Sequence, residues 1–139
     1  MQTVFTLGYG NRSPDEFTHV LEQHRIRRVV DVRLRPDRAR LAAFALSKSE
    51  DKGIRALLKL RGIDYVSLVE LGNLFVDQED WGPRYRALLE HASALLLERV
   101  LGIEGDFALL CAELDHHDCH RAVIAEHLAK HGRAIVHIQ

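Results

Sequence analysis

Cysteine, proline and aromatic residues are scarce in this chain, and positive and negative charges nearly cancel. Each shortage closes off a class of protein. Two cysteines in 139 residues are too few for a disulfide scaffold, and in a reducing compartment both are expected to be thiols. Three prolines, together with the lack of repeats and low-complexity segments, leave no sign of a linker. No apolar run approaches the ~20 residues needed to cross a bilayer. The opening Met1-Gln2-Thr3-Val4-Phe5-Thr6 has neither the basic region nor the cleavage pattern of a signal peptide, so a cytoplasmic location is expected. A formal net charge of −1 gives the whole molecule no electrostatic pull toward nucleic acid.

What is present is the composition of an ordinary globular protein, 47% hydrophobic and 28% charged. The length suits a single domain spanning residues 1–139. Arginine outnumbers lysine fifteen to four, and seven arginines fall between Arg25 and Arg40 against only Asp31 and Asp37. Such neighbours repel unless something anionic balances them. Most of the nine histidines are expected on helix surfaces.

Along the chain, strand and helix signals alternate. Val4-Phe5-Thr6-Leu7 reads as a strand, followed by a helix whose start is marked by Ser13 as N-cap, Pro14 at N1 and Glu16 closing a capping box. Arg28–Val32 is a second strand, and a long irregular stretch runs from Arg33 to about Leu46. Ser47 or Ser49 is expected to cap the next helix, which Gly62 ends. Ile63–Leu68 is a third strand. A long helix follows from near Pro83 through Leu96, and Phe107–Leu110 is a fourth strand. Asp118 is expected to cap the last helix, Gly132 to end it, and Ala134–Ile138 to close the chain as strand five. Strands apolar on both faces, alternating with helices, predict a three-layer α/β domain with about five mostly parallel strands and helices on both sides.

In such a sheet, ligands bind outside the carboxyl ends of the strands. That rule gathers four loops around one edge. Gly8-Tyr9-Gly10-Asn11 is half of a dinucleotide fingerprint, but the third glycine is replaced by Ser13, so a tight turn is the better reading. Asp31 and Arg33 share a side in a period-2 pattern. Either they form a buried structural pair, or Asp31 orients Arg33, whose fork suits phosphate or carboxylate oxygens. Cys111 reads as a small hydrophobe at a strand end, whereas Cys119 at a helix start beside Arg121 has the setting of an activated thiol. Cys111, His116, His117, Cys119 and His120 offer soft and imidazole ligands, yet their spacing matches none of the usual structural zinc pairs, so no metal ligand set is assigned. His120 and Arg121 are cations in the first turn of a helix, where the dipole opposes them unless an anion, Glu113 or Asp31 compensates.

Several of these blocks resemble one family. They are Thr6-Leu7-Gly8-Tyr9-Gly10-Asn11-Arg12-Ser13, Val30-Asp31-Val32-Arg33 with Pro36 and Arg38, Leu71-Gly72, and Leu110-Cys111-Ala112-Glu113 followed by Cys119-His120-Arg121. The chain is similar to the prokaryotic domain-of-unknown-function family 488 from about residue 3 to its end. The resemblance implies an α/β domain with these blocks around one pocket, and it implies no assigned reaction. Asp31-Val32-Arg33 and a cysteine after strand four also resemble rhodanese-like sulfurtransferases. Those, like tyrosine phosphatases, place an arginine a short loop after the nucleophile, where this chain has His117.

Three functions are therefore expected in turn. The first is a protein that binds a phosphate-bearing ligand, a nucleotide or nucleic acid, and works as a hydrolase or transferase if it is an enzyme. Arg33, Arg121, Tyr9 and Asn11 would hold the ligand; Asp31 or Glu113 would be the base and His120 the acid or electrostatic stabiliser. The second is a thiol enzyme in which Cys119 attacks and Cys111 resolves. The third is a non-enzymatic module that binds nucleic acid through the Arg25–Arg40 stretch. No cofactor is named by any motif.

Overall fold

The structure, a computed structural model, describes residues 2–113 and 115–139. Met1, quoted above in the opening residues, Leu114, and the His116 side chain, weighed above as a metal donor, lie outside the described part. Five strands form one sheet: β1 (Thr3–Gly8), β2 (Arg28–Asp31), β3 (Asp64–Ser67), β4 (Phe107–Cys111) and β5 (Ala134–His137). Their order is β3-β2-β4-β1-β5, and every pairing is parallel. The expected α/β architecture is therefore observed.

The reason lies in the side-chain alternation. β4 is buried at all five positions. Phe107 and Leu109 join one apolar cluster with Val4, Val30, Tyr85, Leu89, Val123 and Ile124. Ala108 and Leu110 join another with Leu7, Phe17, Leu21, Val29, Ile54 and Leu58. A strand that feeds two cores must be covered on both faces. Helices α1 (Pro14–Gln23) and α2 (Gly53–Lys59) cover one; α3 (Trp81–His91) and α6 (Arg121–Lys130) cover the other.

Local signals explain most boundaries. Ser13 accepts from the Glu16 N–H, and the Glu16 side chain accepts from the Ser13 N–H, closing the expected box with Pro14 in the first turn. Gly62 and Gly132 take positive φ past the ends of α2 and α6. Arg25 does the same after α1 with φ 55°, where Ile26 N–H reaches back to the Leu21 carbonyl.

Three expectations need correction. Ser47 and Ser49 do not cap α2; their hydroxyls accept from the N–H two residues on, and Lys52 holds the cap position. The long helix expected through Leu96 is broken at Ala92, giving the short α4 (Ser93–Leu96) and α5 (Glu98–Leu101) after α3. Asp118 belongs to a 3₁₀ turn, and His120 is the cap residue of α6. The stretch after Arg33 is irregular as expected, apart from a 3₁₀ turn at Ala42–Phe44, and it is pinned. Phe44, fully buried, stacks on Tyr9 with centroids 4.6 Å apart and meets Phe17 edge-on, while Leu46 N–H bonds the Pro36 carbonyl. No helix among the described residues is long and apolar enough to cross a membrane.

Candidate functional site

Register sets the carboxyl ends of the central strands level. Gly8 pairs with Cys111 and Asp31 with Leu110. The ladder continues one step further, with Val32 N–H on the Leu110 carbonyl and Tyr9 N–H on the Cys111 carbonyl. The loops after β1, β2 and β4 therefore leave the sheet side by side. Two glycines permit the crowding: a Cβ on Gly8 would lie 1.5 Å from the Glu113 carbonyl oxygen, and one on Gly72 would lie 2.5 Å from the Leu34 Cα.

Between these loops lies a cleft of about 290 Å³, close to the smallest volume usual for ligand sites. Tyr9, Arg33, Cys111, Glu113, Cys119 and His120 line it, so six of the nine residues singled out from sequence face one space. Arg35, Arg38, Asn73, Trp81 and Asp118 complete the wall. Asn11 faces a neighbouring shallow depression with Gly10 and Arg40. The two other residues, Asp31 and Arg121, lie beneath the floor and are fully buried.

Asp31 is engaged on both oxygens. Its Oδ1 accepts from Arg33 N–H at 3.1 Å and from Arg33 Nε at 2.9 Å. Its Oδ2 accepts from Arg33 Nη2 at 2.7 Å and from the Tyr65 hydroxyl at 2.5 Å. A carboxylate with four donors is a positioning group, which does not suit the base role expected for it. Burial works against the Arg33 charge, but the hydrogen bond and charge of Asp31 outweigh it and raise the pKa. Burial first, then the Asp31 charge, holds the Tyr65 hydroxyl protonated. Arg33 spans from this anchor to the Tyr9 ring, 5.5 Å from its centroid. Its Nη1 is buried and has no hydrogen-bond partner among the described residues.

His120 differs from expectation in charge. Its Nε2 donates to the Val32 carbonyl at 2.7 Å, which leaves Nδ1 as the lone-pair nitrogen, 3.6 Å from Cys119 Sγ. Burial, with the Arg121 charge adding to it, lowers its pKa to about 4. The ring is neutral near pH 7, so it neither opposes the helix dipole nor serves as the acid expected from sequence. Arg121 does remain cationic. Burial lowers its pKa only to about 10, and Glu113 and Asp115 support its charge. Its Nη1 donates to the Glu113 carbonyl at 2.6 Å and to Cys111 Sγ at 2.7 Å, so this guanidinium braces the β4 loop from below and does not line the cleft.

The two cysteines are bonded to each other, contrary to the expected pair of thiols, and neither is free. The strand end and the helix start meet across the cleft floor, which brings residues eight apart in the chain into contact. Sequence reasoning missed Tyr65 and Trp81. Tyr65 stands two positions before Ser67, the register partner of Asp31, and that neighbourhood follows only from the β2–β3 pairing. Trp81, the one tryptophan, opens α3 on the site edge.

The Arg25–Arg40 cluster is divided by the sheet. Arg25, Arg27 and Arg28 lie where β2 begins, and Arg33, Arg35, Arg38 and Arg40 follow its carboxyl end. The stretch is thus shared between the two ends of β2.

Fold and cleft together define an open parallel α/β protein with its candidate site at the carboxyl edge of the sheet. The chain belongs to the family described as Domain of unknown function DUF488, which matches residues 13–128. Comparison with curated proteins returns no match, and comparison with solved structures returns none either.

Proposed function

We propose that the cleft binds a small anionic ligand bearing a phosphate, and that Arg33 is its principal contact. The observation that carries this reading is the buried Arg33 Nη1, which has no acceptor among the described residues and belongs to a side chain that borders the cleft. A buried charged donor left unpaired costs about 1–3 kcal/mol or more, so a ligand oxygen there recovers free energy that the empty fold forgoes. Asp31 and Tyr65 hold the guanidinium in place before a ligand arrives, which reduces the entropic cost of binding. Exposed Arg35 and Arg38 on the wall add positive potential, and the partly exposed Trp81 offers apolar surface to whatever carries the phosphate. The volume favours a mononucleotide or smaller molecule over a nucleic-acid strand.

Arg33→Lys tests the reading, since lysine retains a charge beside Asp31 but removes the unpaired arm of the fork. Calorimetric titration with inorganic phosphate and with mononucleotides is expected to show at least roughly tenfold weaker binding in the variant, the equivalent of one lost charge-assisted bond. Equal affinities for the two proteins, or no binding by either, would overturn the proposal.

A further inference from the structure

We infer that the reduced protein holds a divalent metal ion of the zinc class at Cys111, Cys119, His120 and Glu113. The sulfurs of Cys111 and Cys119 and a carboxylate oxygen of Glu113 all lie within 4.8 Å of one another. Once the two sulfurs, bonded to each other here, are parted by reduction, three such atoms supply three of the four donors a tetrahedral ion takes. The fourth donor is His120, which lies outside this 4.8 Å group but beside one of its members, Cys119. Its Nε2 hydrogen bonds to a backbone carbonyl, which fixes the tautomer that turns a bare Nδ1 toward Cys119. Metal-bound imidazoles carry this same outer hydrogen bond.

The distances fit. With Zn–S of about 2.3 Å and Zn–N of about 2.0–2.1 Å, tetrahedral geometry sets N···S at about 3.6 Å. Nδ1 lies 3.6 Å from Cys119 Sγ. Both sulfurs also accept from Arg121, Cys119 Sγ from its backbone N–H at 3.5 Å and Cys111 Sγ from Nη1 at 2.7 Å. Donors of this kind stabilise thiolate over thiol. Two thiolates, the Glu113 carboxylate, a divalent ion and the Arg121 guanidinium sum to zero charge, the condition a buried cluster needs. Two thiolates with an imidazole are soft to borderline ligands and select zinc over magnesium or calcium. All four donor residues line the cleft, so the ion would face its interior, with the carboxylate as the most readily exchanged ligand.

Loading requires the disulfide to open. A small dithiol supplies two electrons and two protons: the Cys111–Cys119 bond breaks, two protein thiols form, and the dithiol leaves as its own disulfide. The ion then displaces both thiol protons, which pass to solvent. Oxidation reverses the sequence and expels the ion, so the site is occupied only under reducing conditions.

Cobalt(II) is the probe, with protein purified without a histidine tag. Protein reduced with dithiothreitol and then freed of it under anaerobic conditions is titrated beside the oxidised form. One equivalent is expected to bind the reduced protein with a thiolate-to-cobalt charge-transfer band that zinc abolishes, and the oxidised protein is expected to show no band. His120→Asn is expected to weaken binding at least tenfold and Cys119→Ser to abolish the band. A reduced protein without the band, or oxidised protein that binds equally well, overturns the site. So does a His120→Asn variant of unchanged affinity. The comparison of the two redox forms uses the natural chain, so a variant that fails to fold does not hide the answer. Phosphate binding at Arg33 is not needed for any of these results.

Discussion

Gly8 lies so close under Glu113 that a methyl group on its Cα would sit 1.5 Å from the Glu113 carbonyl oxygen. The same oxygen accepts from Arg121, and Cys111 pairs in register with Gly8. One small residue thus sets the height of the whole β4 loop above the sheet. Gly8→Ala has to push that loop outward, and overpacking of this kind costs about 1–3 kcal/mol. Urea denaturation is expected to show a loss near the upper end of that range. Gly82→Ala, which meets nothing within 4 Å, should lose far less. Equal losses at the two positions would mean that the close approach does not govern the loop.

Tyr65→Phe removes one of four donors from a fully buried carboxylate and leaves the ring in place. A hydrogen bond to a charged group is worth about 1.5–3 kcal/mol, and because Tyr65 is only partly buried, a loss of about 1–2 kcal/mol is expected. Arg33 stays paired with Asp31, so binding of phosphate should fall less than in Arg33→Lys. A Tyr65→Phe protein as stable as the parent would show that water replaces the hydroxyl.

His120 makes stability depend on pH in a definite direction. In the fold its pKa lies near 4, whereas an imidazole in the unfolded chain titrates near 6.5. Between these values the unfolded chain takes up a proton that the fold refuses. The contribution is therefore constant above about pH 6.5, is lost as the pH falls from there toward 4, and changes no further below, for a total of about 3 kcal/mol. Unfolding free energies of the metal-free oxidised protein at several pH values should fall more steeply in the parent than in His120→Asn. Parallel curves would rule out a buried neutral imidazole.

Phe44 anchors the segment that carries Arg35 and Arg38. Phe44→Ala removes a fully buried ring from between Tyr9 and Phe17, a change that costs about 3–5 kcal/mol. Amide exchange across residues 34–46 is expected to speed up well before global unfolding. Protection unchanged in that segment would mean other contacts pin it.

The legibility of this chain in its sequence follows the range of the interactions. Val29, Val30 and the Phe107–Leu110 run announce buried strands because period-2 burial is local. Ser13, Pro14 and Glu16 announce a helix start for the same reason. The carboxyl-edge rule then gathers the right loops without any contact being known, which is how Arg33, Cys119 and His120 were brought to one cleft. Contacts between distant segments escape such reading. The charge of His120 depends on a carbonyl 88 positions earlier, and the freedom of Asp31 depends on a tyrosine 34 positions later. Asp118 looks like a cap by type, but the pairing of Cys119 with Cys111 puts the helix start two residues further on.

Strand β4 sits between β1 and β2, yet it is made long after both. The first seventy residues can pair β2 with β3, but β1 has no neighbour until Phe107–Cys111 emerges and slots between the two halves. Closure of the sheet therefore waits on contacts of long sequence separation, a topology that folds slowly and leaves apolar strand edges uncovered during synthesis. A chain truncated before residue 107 should then collapse and aggregate instead of forming a smaller stable fold.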